Sequence, residues 1–317
     1  MISLTANFLF VSDDNYVKNL GICTYSVMHN MCSEAEKVRL FVMDCGITEE
    51  NKQKLNAQAA RFGNAEMIFY DIDEKLNSVV TKVKTRWRRA IYGRLFLNEL
   101  PEIYGDLERL VYLDCDLLID KPVTELFTMD LGGKCLAAVS DADNDPRKKA
   151  LGIPEECEYI NSGVLVIDTA RWIELDASRR VIEYINSFPE ALLYPDQDAI
   201  NYILKNEIVI LPPEYNMMWM ICERDIPKMI HWIPDFHYTA EQMEYALYHA
   251  KIIHFAGHNM WLFDGITPVA ARTFKKYRKL CDWRDCKRRF SSPAGFAMWG
   301  MTSVKRLLWG DYRIPRH

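Results

Sequence analysis

Short apolar runs that end on an aspartate, each followed by a polar or helix-spaced stretch, constrain this chain more than any other feature. Phe8-Leu9-Phe10-Val11 runs into Ser12-Asp13-Asp14-Asn15-Tyr16, and Val38-Arg39-Leu40-Phe41-Val42-Met43 ends at Asp44. A third run spans Glu66 to Tyr70. A fourth, Leu110-Val111-Tyr112-Leu113, delivers Asp114-Cys115-Asp116 and is followed by Leu117-Leu118-Ile119. Between the first two, Leu20, Thr24, Val27 and Met31 recur at helical spacing over about residues 17–31. Thr48-Glu49-Glu50 opens a polar helix, with Thr48 as its expected cap and the early acids favoured by the helix dipole. A further helix is predicted from about Trp87 to Glu99. Strands that alternate with helices build a mostly parallel sheet covered on both faces. Ligands of such sheets bind beyond the carboxyl ends of the strands, where Asp13, Asp44, Asp114 and Asp116 fall.

At 317 residues and 49% hydrophobic, the chain can bury a large α/β core. The alternation fades after about residue 212. No run of about 18 uncharged apolar residues suggests a spanning helix, and Met1-Ile2-Ser3-Leu4 has no basic start or cleavage site. Nine cysteines without a CxxC pair are expected to be reduced, buried thiols of a cytoplasmic protein. The net charge of −5 conceals a split: from Arg272 onward thirteen Lys/Arg oppose three Asp, a net of +10, which leaves −15 for the body. We therefore expect a domain at 1–271 and a basic amphipathic tail at 272–317. In the tail, Phe296, Met298, Trp299, Met301, Leu307, Leu308 and Trp309 interleave with Lys305 and Arg306, a composition suited to an anionic membrane surface. A helix packed on the body is the plainer alternative. Nucleic acid is not the expected partner, because the body is acidic and no recognition motif appears.

Two carboxylates one residue apart at a strand end suit a hard divalent cation that keeps positions for phosphate oxygens, although such pairs also simply bond loop amides. Two acids leave room for a third ligand. His254, closing Lys251-Ile252-Ile253, is the candidate, with His258 ranked below it, and an imidazole favours Mn²⁺ over Mg²⁺. Gly257 opens a loop where backbone can approach a phosphate. Asn161-Ser162-Gly163 leads into the apolar Val164-Leu165-Val166-Ile167-Asp168, either as a plain turn or with Asn161 holding a substrate hydroxyl. Pro195-Asp196-Gln197-Asp198 opens a helical stretch that one of its acids should cap, with Gln197 as a sugar contact. Arg94 belongs to a stretch with Lys82, Lys84, Arg86, Arg88 and Arg89, which reads as a solvated face or, alternatively, as a phosphate contact.

Taken in order, Ser12-Asp13-Asp14-Asn15-Tyr16, Tyr92-Gly93-Arg94-Leu95, Tyr112-Leu113-Asp114-Cys115-Asp116, Asn161-Ser162-Gly163-Val164, Asp196-Gln197-Asp198 and His254-Phe255-Ala256-Gly257 resemble glycosyltransferase family 8, over about residues 8–262. The likeness is to its bacterial lipooligosaccharide and lipopolysaccharide galactosyl- and glucosyltransferases. The resemblance implies a single GT-A nucleotide-sugar-binding α/β fold and Mn²⁺ held by Asp114, Asp116 and His254. It implies UDP-galactose or UDP-glucose as donor, with Val11, Asp13 and Asn15 lining the uridine site. Arg94, Asp114, Asn161 and Asp196 would contact the donor sugar or its ribose, Gln197 would lie by the anomeric carbon, and Asp141 would face the acceptor. Asp196 and Gln197 are the expected catalytic pair, with Gly257 and His258 beside the substrate. Transfer would retain anomeric configuration and extend a saccharide acceptor, lipid-linked or on the cell surface, at the inner face of the cell membrane. In one place the chain departs from the family: Gly257-His258-Asn259-Met260-Trp261 lacks the Lys that commonly follows this Gly and contacts the diphosphate. That departure keeps a catalytically silent nucleotide-sugar-binding protein as a competing expectation, beside a glycogenin-like self-glucosylating primer.

Overall fold

A computed structural model describes residues 4–79, 89–105, 107–142, 144–218, 230, 236–256 and 268–285. The strands are β1 (Thr5–Ser12), β2 (Lys37–Asp44), β3 (Ala65–Asp71), β4 (Arg109–Leu113), β5 (Leu117–Ile119), β6 (Leu136–Ala138), β7 (Val164–Asp168), β8 (Ile208–Ile210), β9 (Met217–Met218) and β10 (Ile252–His254). The α-helices are α1 (Val17–Met31), α2 (Glu49–Ala60), α3 (Asp73–Val79), α4 (Leu100–Tyr104), α5 (Glu125–Thr128), α6 (Asn144–Leu151), α7 (Thr169–Glu174), α8 (Ala177–Ser187), α9 (Pro195–Leu204), α10 (Ala240–His249) and α11 (Pro268–Leu280).

Seven strands form the main sheet in the order β3-β2-β1-β4-β7-β6-β8, and β5-β10-β9 form a second, smaller one. Every described pairing in the main sheet is parallel except those of β7, which runs against both β4 and β6. Its reversal matters for the site. Leu113, the last residue of β4, pairs with Val164, the first of β7. The Asn161-Ser162-Gly163 turn therefore reaches the same sheet edge as the Asp114-Cys115-Asp116 turn, one entering its strand and the other leaving. The Asp114 N–H donates to the Gly163 carbonyl at 2.8 Å and ties the two turns together.

The apolar runs serve two cores. Phe8, Phe10, Leu40, Val42, Val111, Leu113, Val164 and Val166 pack on one face with residues of α1, α2 and α11. Leu9, Val11, Phe41, Met43, Leu110, Tyr112, Leu165 and Ile167 pack on the other with α8 and α9. Alternate residues facing opposite layers is the period of a strand, and burial on both faces is why the runs lack polar alternation.

Some local expectations needed correction. The predicted helix before β4 is a 3₁₀ segment, Arg89–Glu99, continued by α4, while Trp87 lies outside the described residues. Tyr92 to Leu97 is buried throughout, so Arg94 belongs to no solvated face. A Cβ on Gly93 would lie 2.5 Å from Val11 Cγ1, so only glycine lets this segment settle so closely on β1. Thr48 stands at the N-cap of α2 with extended backbone but makes no cap bond of its own. Asp14 supplies one instead, accepting from the Thr48 N–H and hydroxyl, both at 2.9 Å, and from Asn51 Nδ2 at 2.8 Å. Asp44 bonds the Gly46 and Ile47 N–H groups and pairs with Lys52, shaping its own turn.

Helix α11 crosses the expected boundary at 271/272. Phe274, Tyr277, Cys281 and Trp283 are buried in the first core. The Trp283 indole fills the space a Gly21 side chain would take, with Lys54 Nζ 4.0 Å above the ring. Lys18–Asp285 and Arg61–Asp282 pairs fasten the same segment to α1 and the end of α2. The aromatic tail residues from 296 onward lie outside the described residues. Among the described residues no helix is long and apolar enough to cross a membrane.

Candidate active site

The site is built where β4 ends. Asp114-Cys115-Asp116 is the turn by which the chain leaves the main sheet for the small one. Sheet period places Asp114 on the side of Tyr112, whose hydroxyl donates to Asp114 Oδ1 at 2.5 Å. Cys115 takes the opposite side, buried in the first core, with its thiol on the Val11 carbonyl at 3.2 Å. Antiparallel β10 brings His254 opposite Leu117, and the Phe255 N–H donates to the Asp116 carbonyl. Two strands distant in sequence thus deliver one ligand set. His254 Nε2 lies 3.2 Å from Asp116 Oδ1 and 3.8 Å from Asp114 Oδ2. Ligand atoms of the three residues all lie within 4.8 Å of one another.

These residues suit a divalent cation. Asp114 and Asp196 share one guanidinium, that of Arg94, and Asp116 lies apart from it against His254, which leaves negative charge for a cation to balance. Two carboxylates with an imidazole are a donor set that Mn²⁺ accepts more readily than Mg²⁺. Space is reserved for the arrangement. A Cβ on Gly163 would stand 2.3 Å from His254 Cε1 and 2.9 Å from Asp114 Oδ2, so only a glycine turn admits the His254 ring. His254 is 2% exposed. Burial opposes its charged form, but Asp116 and Asp114 outweigh that and hold its pKa above the usual imidazole range.

Arg94 is the hub. It is 4% exposed, and its guanidinium lies 3.0 Å from Asp114 and 3.1 Å from Asp196. The same group donates to the Ser162 carbonyl at 2.6 Å and stacks over Tyr112 at 4.1 Å. Burial works against the ion, yet Tyr112, Asp196 and Asp114 more than offset it and keep Arg94 charged. Asp196 shows the reverse balance: burial raises its carboxyl pKa, and Arg94 only partly counters that.

Gln197 is fully engaged. Its Oε1 accepts from the Ser162 N–H at 3.0 Å and from Asn161 Nδ2 at 3.3 Å, while Nε2 donates to Asp141 at 3.2 Å and Tyr159 at 3.1 Å. Asn161 also donates to Asp141 at 3.0 Å. Tyr194, not an acid, is the N-cap of α9. Asp198 folds back to accept from the N–H groups of Leu193 and Tyr194, from Tyr159, and from Arg147 through two nitrogens. It does the cap's work from inside the first turn.

Arg94, Asp114, Asp116, Asp141, Asn161, Asp196, Gln197 and His254 therefore form one bonded cluster. Val11 lies at the end of β1 beside it and Asp13 directly follows the strand, with exposed Asn15 donating to Asp13 at 3.3 Å. Tyr16 is close enough that, after burial, Asp116, Cys115 and Asp114 push its phenol well above the ordinary value. Gly257 and His258 lie outside the described residues. Sequence reasoning missed Tyr112, Tyr159 and Asn216. Tyr112 was legible from strand period, two residues before Asp114. Asn216, ahead of Met217-Met218, carries no spacing signal.

Residues 7–262 match the family model described as Glycosyl transferase family 8. Among curated relatives, General stress protein A of Bacillus subtilis is 30% identical over 272 residues, 84% of this chain and 88% of that protein. A lipopolysaccharide 1,2-glucosyltransferase of Escherichia coli K12 is 29% identical over 220 residues, 68% of this chain and 63% of that one. Among solved structures, the galactosyltransferase LgtC, in complex with donor and acceptor sugar analogues, superposes with a TM-score of 0.71 at 23% identity, over 88% of this chain and 99% of that one. The bifunctional glycosyltransferase WbbM gives 0.75 at 20% identity, over 92% and 52%. Likeness at that identity speaks for the fold, and the family match reaches from β1 past β10, across every strand that shapes the site. This chain belongs to glycosyl transferase family 8 and is a glycosyltransferase of the GT-A fold.

Proposed function

We propose that this enzyme transfers galactose or glucose from its UDP conjugate to a glycan acceptor, with Mn²⁺ bound and anomeric configuration retained. The observation that carries the reading is the convergence of Asp114, Asp116 and His254 next to the Arg94–Asp196–Gln197 cluster. When bound there, Mn²⁺ supplies positive charge beside the diphosphate as negative charge develops on departing UDP. Asp114 and Asp196, held by Arg94, would orient hydroxyls of the donor sugar, as would Asn161. Val11, Asp13 and Asn15 would receive the uridine, Asp141 would face the acceptor, and Gly257 and His258 would approach the donor.

Gln197 supports front-face attack over double displacement. A carboxamide is a poor nucleophile, and its oxygen is already bonded by an N–H. The neighbouring Asp198 carboxylate is saturated by donors from Tyr159, Leu193, Tyr194 and Arg147. The reaction would break the anomeric C–O bond to UDP through an oxocarbenium-like state. The acceptor oxygen would form the new bond on the same face, its proton passing to the departing phosphate oxygen. The relatives named lipopolysaccharide glucosyltransferases support a surface glycan as acceptor. The basic composition after residue 285 supports attachment to the cytoplasmic face of the membrane.

A donor screen read by released UDP tests the activity. We expect Mn²⁺-dependent turnover with UDP-galactose or UDP-glucose that Asp116→Asn abolishes. Turnover indifferent to Mn²⁺ and to that substitution would sink the reading. For the tail, a chain ending at Asp285 keeps Trp283 in place. It should no longer sediment with anionic liposomes, and sedimentation equal to the full chain's would rule out the membrane role.

A further inference from the structure

A chain of carboxamides runs behind the ligand set and decides which nitrogen of His254 faces it. It starts at the backbone. The Gly163 N–H donates to Asn161 Oδ1 at 3.0 Å, which fixes the Asn161 amide: oxygen toward Gly163, nitrogen toward Asp141 and Gln197. An acceptor at Asn161 Oδ1 demands a donor from Asn216, and Asn216 Nδ2 meets it at 2.9 Å. Asn216 Oδ1 must then point the other way, where it lies 2.9 Å from His254 Nδ1. An amide oxygen there requires a proton on Nδ1. In the charged ring Nε2 donates to Asp116 at 3.2 Å; once the ring is neutral, Nε2 keeps its lone pair toward Asp114 and Asp116, the form in which an imidazole binds a metal. Asn216 is 1% exposed, so no bulk water competes for either hand.

We propose that Asn216 is a positioning residue that sets the His254 tautomer and ties the cation side of the site to Asn161 on the sugar side. The metal half of this claim rests on the reading that Asp114, Asp116 and His254 hold a divalent cation; the tautomer half does not. Outer-shell partners of this kind typically change metal affinity by about 10–100-fold when removed. Asn216→Asp keeps an acceptor for Nδ1 but sets a carboxylate against Asn161 Oδ1. The two hands of Asn216 are thereby separable.

Two measurements on the full-length protein test this. With histidine-selective ¹⁵N labelling and metal-free protein at alkaline pH, long-range proton–nitrogen spectra should show neutral His254 protonated at Nδ1. Asn216→Ala should lose that preference and Asn216→Asp should keep it. An Nε2-protonated His254 in the wild type overturns the proposal. In the second, free Mn²⁺ is followed by paramagnetic resonance in the presence of UDP. Asn216→Ala should weaken Mn²⁺ binding by about 10–100-fold, but by no more than about twofold in a His254→Ala background, as for a residue that acts only through His254. Equal losses in both backgrounds, the mark of a general structural defect, refute the role. Asn216→Asp should bind Mn²⁺ near the wild-type level while kcat falls. A correct tautomer with no Mn²⁺ binding in the wild type would leave Asn216's action on His254 standing and remove the metal reading instead.

Discussion

Replacing Gly163 with alanine adds one methyl group where the structure leaves no room. The new Cβ would stand 2.3 Å from His254 Cε1 and 2.9 Å from both His254 Nδ1 and Asp114 Oδ2. Carbon atoms in contact sit at about 3.5–4.0 Å, so the ring would have to withdraw by about 1.2 Å or more. Gly163 cannot yield, because its N–H is held by Asn161 and its carbonyl by the Asp114 N–H. His254 has little freedom either, fixed by Asn216 and by the small sheet. Metal–ligand distances must be met within about 0.2 Å, so the shift removes His254 as a ligand. A misplacement of about 1 Å at a reacting centre costs about 10²-fold in rate, and that is the expected fall in kcat/KM. Stability should drop by about 1–3 kcal/mol from overpacking, whereas Gly→Ala at an unhindered site stabilises by about 0.4–1 kcal/mol. Released UDP at saturating Mn²⁺ measures the first effect and urea unfolding the second. Turnover within threefold of wild type, with unchanged stability, would show that the Gly163–His254 contact does not govern the site.

Arg94→Met strands Asp114 and Asp196 without their counter-ion; unfolding free energy should fall by about 3–5 kcal/mol, checked by denaturant titration, with loss of turnover. Trp283→Ala empties the seat over Gly21 and should cost about 3–5 kcal/mol, and a smaller effect than 1 kcal/mol by the same titration would mean the segment at 281–285 is not part of the core. Asp14→Ala removes the acceptor that caps α2 and should cost about 1 kcal/mol at neutral pH. Bonds from Asn51 and Thr48 hold the Asp14 carboxyl below its ordinary value of 3.8. Its contribution is therefore present above that pH and lost as pH falls through the lower, folded-state value. The gap between wild type and Asp14→Ala should close in strong acid and stay constant from pH 5 to pH 8.

The strands were legible because their residues are buried on both faces, which leaves unbroken apolar runs such as Phe8 to Val11. The polar turns that follow them stood out for the same reason. The solvated-face reading of Arg94 failed because its neighbours in sequence are basic, while its neighbours in space are acids from two other segments. The capping of α2 was assigned to Thr48 by rule, whereas Asp14 reaches α2 from another loop; for α9 an acid of the expected segment, Asp198, serves, but from inside the first turn. Local rules rank the nearest donor or acceptor, and a folded chain offers distant ones at equal range.

By itself the sequence determined the class of fold and the chemical types at the site. Both depend on quantities that follow the chain: the period of apolar residues and the placing of acids at strand ends. Only the tertiary structure decided that β7 runs backward, so that Asn161-Ser162-Gly163 meets Asp114, and that β10 lays His254 against Asp116. It also decided that Asn216, without any motif, stands between them. Hydrogen-bond partners and ligand sets are fixed by distances of a few ångströms between residues far apart in sequence, and no spacing along one strand encodes them.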